Sequence, residues 1–184
     1  MSIHSSLKSS FSLVFVGMSL SVGLLACGPT KVAQCNAMID ELNKGEALAK
    51  KFETAESRMK KKAQNIKGIE DFRNMAKDLS QEFSTLTAEI NQYITTVKAV
   101  ELKDEKLVGY REQAVSTYSD MSAAFQGMAD GFKKLQSLEA TPEGQRMLEQ
   151  TSRVMDQISE GMTSVEAEED KIVKEINTYC GAKS

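Results

Sequence analysis

Histidine is almost absent from this chain of 184 residues, since the single one is His4. Charge-relay and thiol–imidazole nucleophiles, c-type haem attachment and the metal sites of di-iron helical bundles all require histidine. Glycine-rich phosphate loops and the spaced carboxylates of calcium loops are missing as well. Three cysteines are too few for a zinc site built from thiolates alone. The chain is therefore predicted not to be an enzyme and to hold no metal or cofactor.

Proline is scarce, with two in the chain, and tryptophan does not occur. Only Pro142 lies in the body of the sequence, which is rich in residues that favour helices, such as alanine, methionine, glutamate, lysine and leucine. Runs with the alternating pattern of a strand are missing. These features predict an all-α fold, and the length after residue 26 suits one domain.

The first 26 residues have a different composition from the rest. A start that carries Lys8 is followed by an uncharged apolar run from Phe11 to Ala26. This order is typical of an export signal, and sixteen uncharged residues fall short of the roughly 20 that span a bilayer as a helix. Residues 1–26 are therefore predicted to be a cleaved signal peptide. Its removal leaves 22 Lys and Arg against 26 Asp and Glu, a net charge of −4.

The apolar run ends in Leu24-Leu25-Ala26-Cys27, which resembles the lipobox of bacterial lipoproteins. The resemblance implies cleavage before Cys27, a diacylglyceryl group and palmitate on that cysteine, and a permanent membrane anchor in the cell envelope. Residues 27–31 would then be the tether. Gly28 is not the aspartate that retains many such proteins in the inner membrane, which favours the outer membrane. The alternative is an ordinary secretory signal that leaves a soluble protein.

Apolar residues recur at spacings of three and four along most of the remaining chain. They form four seams that begin at Val32, Ile69, Leu107 and Leu148, and the last of them includes Met155, Ile158 and Met162. This period predicts helices with coiled-coil-like heptad packing, with a slip near Gly45 and a break at Gly68. The alternative is that Gly68 lies inside a helix. Asp104 and Thr141-Pro142 are typical helix starts, and Gly68 would close the first helix in a left-handed conformation. The pattern predicts an antiparallel up-down-up-down four-helix bundle, about 55 Å long, with helices over 32–67, 69–100, 104–138 and 142–180 and a tail over 181–184.

The two cysteines other than Cys27 are Cys35 and Cys180. An exported protein with an even number of remaining cysteines favours a disulfide. In a four-helix up-and-down bundle both positions fall at the same end, whereas a three-helix rod would separate them. The pair is therefore predicted to form a disulfide that staples the membrane-proximal end.

Glu169 occupies a seam position between Val165 and Ile172, where a carboxylate must find a partner, reach water or take up a proton. Counting from the common end places Lys44 and Gly45 and also Thr117 at a similar height. Lys44 is the predicted partner. The alternative is that Glu169 lies at the wet margin of the seam.

A basic stripe on the first helix suggests a second kind of site. It would dock an acidic protein or an anionic envelope polymer, and the alternative is a solvated face. Nucleic acid is not an expected partner. The stripe comprises Lys50, Lys51, Arg58, Lys60, Lys61 and Lys62.

These features predict a non-catalytic lipoprotein with a structural, adaptor or partner-binding role. The plan resembles the murein lipoprotein family, but that family ends in the lysine joined to peptidoglycan, whereas Lys183 is followed by Ser184. Covalent attachment to the wall is therefore not expected. The alternative is a carrier or chaperone that binds apolar ligands or clients within the bundle, because methionines occupy many seam positions.

Overall fold

The computed structural model describes residues 29–181, except the side chains at positions 56, 60, 63, 151, 152, 154–163 and 166. The signal segment 1–26, Cys27 and the end of the tail, with Lys183 and Ser184, lie outside the described residues. Between residues 29 and 181 the regular structure is α-helical, which confirms the predicted all-α class. The helices are α1 Lys31–Asn43, α2 Gly45–Ala63, α3 Ile69–Lys98, α4 Glu105–Leu135 and α5 Pro142–Cys180.

Polar caps fix the starts of α1, α4 and α5. The Thr30 hydroxyl accepts a hydrogen bond from the Ala33 N–H at 3.2 Å. Asp104 accepts from the N–H groups of Lys106 and Leu107, and Thr141 accepts from Gly144 with a proline in the first turn. Each capping side chain accepts a hydrogen bond from a backbone N–H that has no acceptor inside the helix. The starts predicted at Asp104 and Thr141 are confirmed.

The first helix differs from the prediction. A single helix was expected over 32–67, but α1 ends at Asn43, and α2 begins at Gly45 and ends at Ala63. Residues 29–181 therefore contain five helices, not four. The Tyr93 hydroxyl donates to the carbonyl oxygens of Glu41 and Leu42 at 3.2 and 3.1 Å. These carbonyls lie in the last turn of α1, so a tyrosine of α3 provides them with a partner where the helix stops.

Gly68 lies at the turn between α2 and α3, but its role differs from the one expected. Its φ of −167° is extended backbone, and its carbonyl accepts from the Phe72 N–H at the start of α3. The expected left-handed closure of the first helix is wrong. A left-handed glycine does close α5, where Gly181 has a φ of 74°.

The core follows the predicted seams of α3 and α4. A stack of aromatic rings forms its middle, with Phe52 against Phe125 at 5.0 Å and Phe83 against Phe125 and Phe132 at 5.7 Å each. Three predicted seam residues, Val32, Ile69 and Leu148, are exposed instead, and the seam residues Met155, Ile158 and Met162 lie among the side chains that are not described. The buried seam residues of α3 are Ala76, Leu79, Phe83, Leu86, Ile90, Tyr93 and Val97.

The helices pack so that α1 touches all the others. α3 packs along α4, α4 packs along α5, and α2 packs on α3. The start of α3 lies beside the end of α4, because the Arg73 guanidinium donates to the Leu138 carbonyl at 2.7 Å. The end of α5 lies beside the start of α4, where the Tyr179 hydroxyl meets the Asp104 carboxylate. The short helix α1 therefore closes the end of the molecule that also holds the start of α4 and the end of α5.

Candidate functional site

A disulfide joins α1 to the last residue of α5. Cys35 and Cys180 are bonded with a Cα–Cα distance of 5.8 Å, across a sequence separation of 145 residues. Cys35 is buried. The predicted pairing is confirmed, and it ties the beginning of the described chain to its end.

Beside the disulfide, the buried side chain of Gln34 connects three segments. Its Nε2 donates to the carbonyl of Pro29 at 2.9 Å. Its Oε1 accepts from the backbone N–H groups of Lys103 and Asp104 at 2.5 and 2.9 Å. One carboxamide therefore uses both lone pairs of its oxygen and one of its N–H groups. The residues before α1 are held to the loop that leads into α4.

Asp104 links this loop to α5. Its carboxylate caps α4 and also accepts from the Tyr179 hydroxyl at 2.9 Å. The pKa of Asp104 is lowered, first by the Leu107 N–H and also by the Tyr179 hydroxyl. The hydrogen bond to this carboxylate in turn raises the pKa of Tyr179. The ammonium of Lys31 lies 3.7 Å from the centroid of the Tyr179 ring.

These contacts define the disulfide end, which consists of the segment Pro29–Cys35, the loop at Lys103 and Asp104, and the end of α5. Of its residues, the sequence pattern marked the cysteines and the Asp104 cap. Gln34 and Tyr179 could have been suspected only from their positions next to Cys35 and Cys180, because a glutamine or tyrosine on an amphipathic helix carries no partner signal of its own.

The predicted basic stripe forms ion pairs, most of them with α3. Lys51 lies 2.6 Å from Glu89 and Arg58 lies 2.7 Å from Glu82, while Lys62 pairs with Asp78. Lys50 pairs within α2 with Glu46 at 2.6 Å. Exposed pairs of this kind contribute up to about 1 kcal/mol each.

The other two residues of the stripe are Lys60 and Lys61. Lys61 is exposed, and the side chain of Lys60 is outside the described part. The acids of α3 neutralise much of the charge that was expected to attract an anionic partner. The structure thus gives the stripe a role in holding α2 on α3, and docking at the stripe stays a prediction.

Glu169 has a different partner from the predicted one. Its Oε1 accepts a hydrogen bond of 2.5 Å from the Tyr118 hydroxyl, while the Lys44 ammonium lies 2.5 Å from Glu41. Burial acts to raise the pKa of Glu41, but hydrogen bonds from Lys44 and Thr96 and the charge of Lys44 outweigh it, so that pKa is lowered.

The ring of Tyr118 packs edge-on against that of Tyr93, with centroids 4.7 Å apart. A Cβ on Gly45 would lie only 2.8 Å from the Tyr118 hydroxyl oxygen. The break between α1 and α2 therefore has room for a glycine but not for a residue with a side chain. Tyr93, Tyr118, Glu169 and Gly45 together form the tyrosine cluster.

Because of the tyrosine cluster, we expect the folded protein to lose stability in alkaline solution. Burial raises the pKa of Tyr93 and of Tyr118, and the negative charge of Glu169 adds to both shifts. The stability that these shifts provide is present below a pH of about 10, the unfolded value of tyrosine, and is lost as the pH rises above it, because the unfolded chain ionises first. Each tyrosine should cost about 1.4 kcal/mol per pH unit above that value.

Urea unfolding at several alkaline pH values checks this expectation. The free energy of unfolding should fall more steeply for the wild type than for Tyr93→Phe/Tyr118→Phe. All other titratable groups are the same in both proteins, so the difference between the two slopes isolates the cluster. Equal slopes would contradict the buried, protonated state of these two hydroxyls.

The described interior leaves little room for a ligand next to the tyrosine cluster. The cavity there, between Tyr118, Glu169 and Ile172, has a volume of about 10 Å³, enough for about one water molecule. Among the helices of residues 29–181, none combines the length and the apolar character needed to cross a membrane.

Comparisons of the chain with protein-family models, curated proteins and solved structures gave no match. The inferences below therefore depend on the residues and contacts of this chain.

Proposed function

We propose that this protein is a non-catalytic lipoprotein of the bacterial cell envelope, anchored by acyl chains on Cys27. Its helical domain is an antiparallel up-down-up-down four-helix bundle, in which α1 and α2 together form the first member. It serves as a structural, adaptor or partner-binding rod, with the outer membrane favoured as its location.

The observation that carries this proposal is the construction of the disulfide end. Pro29 is two residues from Cys27, and its carbonyl is already held by Gln34. Gln34 in turn binds the loop at Lys103 and Asp104, and the adjacent Cys35 is bonded to Cys180. Any pull on Cys27 would therefore be spread at once over α1, α4 and α5. A firm junction directly after the anchoring residue suits a tethered rod.

A carrier for apolar ligands receives no comparable support. The cavity next to the tyrosine cluster holds about one water molecule, and Met38 and Met128 are buried in the packed core. Such a carrier would need the bundle to open.

The anchor is tested by replacing Cys27 with serine in the producing bacterium. Cys27→Ser should abolish labelling by a palmitate analogue and move the protein from the membrane to the soluble envelope fraction. Without acyl chains the membrane affinity that they supply, about 0.8 kcal/mol per buried methylene, is lost.

The matched control is Cys35→Ala/Cys180→Ala, which removes two thiols but leaves the lipobox intact and should still be labelled. Labelling that persists in Cys27→Ser would refute the lipid anchor. Labelling that is lost in the control as well would show that the assay reports misfolding.

A further inference from the structure

A groove runs between the start of α4 and the end of α5, on the side of the disulfide end. Its volume is about 810 Å³. Lys106 and Tyr110 line it from α4, and Lys171, Lys174 and Tyr179 line it from α5. These five residues define the basic groove, whose shape is open and therefore suits a surface rather than a small enclosed ligand.

The charge of the groove is opposite to that of the whole chain. Three ammonium groups line it against the carboxylate of Glu175. Beside Tyr179, Lys31 adds a fourth ammonium group and Asp104 a second carboxylate. Glu168 lies at the margin, 3.5 Å from Lys171 in a pair that is more than half exposed. The local excess of positive charge occurs in a protein whose net charge is −3, so it is a feature of this face and not of the average surface.

Aromatic rings contact two of these lysines, Lys31 and Lys106. The Lys106 ammonium lies 4.6 Å from the Tyr179 centroid and 5.9 Å from the Tyr110 centroid. The two rings pack edge-on, 6.1 Å apart. Such contacts attract the ammonium to the ring face. Tyrosine beside lysine is also the combination that favours the headgroup layer of a membrane.

The groove is close to the point where the proposed anchor begins. Cys27 precedes Lys31 by four residues, and an extended chain spans at most about 3.6 Å per residue, so the two lie within roughly 15 Å. Lys31 touches Tyr179. If Cys27 is acylated, the leaflet that holds its acyl chains is thus within reach of the basic groove.

We propose that the basic groove docks on anionic lipid headgroups of that leaflet, which rests on the proposed lipid anchor. Phosphate groups of the headgroups meet Lys106, Lys171 and Lys174. The half-buried Tyr179 lies at the headgroup layer, and the buried Tyr110 supports it from behind. The α4–α5 face at the disulfide end then lies on the membrane, and the orientation of the rod is fixed by more than its tether.

The experiment measures lipid binding without the acyl chains. The protein is the chain from residue 27 with Cys27→Ser, which contains every described residue, and it is sedimented at low salt with two kinds of vesicle. One is phosphatidylcholine and the other an equal mixture of phosphatidylcholine and phosphatidylglycerol. We expect binding to the anionic vesicles only, weakened by added salt.

Two triple variants with the same change in charge localise the contact. Lys106→Gln/Lys171→Gln/Lys174→Gln should lower the vesicle partition coefficient by about fivefold per lysine, on the order of a hundredfold in all. Lys77→Gln/Lys133→Gln/Lys134→Gln changes three exposed lysines and should retain wild-type binding. Lys133 lies about 40 Å from Lys106 along α4. Circular dichroism and recovery of the Cys35–Cys180 peptide check that both variants fold.

The proposal is overturned if the wild-type chain does not bind anionic vesicles or binds both vesicle types equally. It is overturned as well if the two triple variants lose affinity to the same extent. It is also overturned if a soluble polyanion displaces the chain from the vesicles through the same three lysines, because the preferred partner would then be a polymer. None of these results depends on whether Cys27 is acylated in the cell. Palmitate labelling of Cys27 tests the anchor separately, so either idea can fail without the other.

Discussion

Replacing Cys35 and Cys180 by alanine is expected to lower the free energy of unfolding by several kcal/mol. The bond joins residues 145 positions apart, and the chain-entropy account gives an upper value of about 5 kcal/mol for a loop of that length. Local contacts should also weaken, because Gln34 and Tyr179 are neighbours of the two cysteines and their hydrogen bonds depend on α1 and α5 staying together.

Urea unfolding at neutral pH, with and without a reductant, measures the effect. Reduction should destabilise the wild type to the level of the double alanine variant and leave that variant unchanged. Hydrogen exchange should rise first in α1, which is short and packs against α5 beside the bond. If reduction leaves the unfolding transition of the wild type in place, the bond has no structural role.

The disulfide also illustrates how much of the fold could be predicted. Cys35 and Cys180 meet only if the chain makes an even number of long passes, so their pairing supports the turn near Gly68. The heptad spacing identified all the buried apolar residues of α3 except Ile94. What could not be predicted was that the slip near Gly45 ends the helix at Asn43. It depends on Tyr93, a residue some fifty positions later, which supplies hydrogen bonds to the end of α1.

Helix spacing also explains which site residues were predicted and which were missed. Spacing reveals which face of a helix is apolar, and so it marked the basic residues of α2 as one exposed stripe. It does not reveal what a neighbouring helix presents to that stripe. Glu82 and Glu89 of α3 lie beside it only after α2 has folded onto α3. Contacts such as Gln34 with Pro29 and Asp104 likewise form from residues that no repeat connects.

Glu169 is the clearest case of a partly correct prediction. Its depth in the seam pointed to a polar partner near Gly45 and Thr117, and the structure places Tyr118 and the Gly45 backbone at that level. The choice of Lys44 was wrong, because a charged partner was assumed where a hydroxyl suffices. Glu169 is only partly buried, so solvent can offset some of the cost of its charge, and the Tyr118 hydroxyl gives it a strong neutral donor.

Glu169→Leu is therefore expected to lower the free energy of unfolding by about 1 to 3 kcal/mol, because it leaves the deeply buried Tyr118 hydroxyl without its acceptor. In the Tyr118→Phe background the same change should cost much less, since the hydroxyl is already gone. Urea unfolding of the four proteins at neutral pH gives the coupling energy between the two side chains.

Two further variants are controls for this double-mutant cycle. Glu168→Leu removes an exposed neighbouring carboxylate and should change stability little, which controls for the loss of charge on α5. Glu169→Leu in the Lys44→Leu background should cost as much as Glu169→Leu alone, because Lys44 pairs with Glu41. A coupling with Lys44 larger than that with Tyr118 would show that the carboxylate prefers the cation in solution. A Glu169→Leu protein as stable as the wild type would show that the Tyr118 hydroxyl finds another acceptor at no cost.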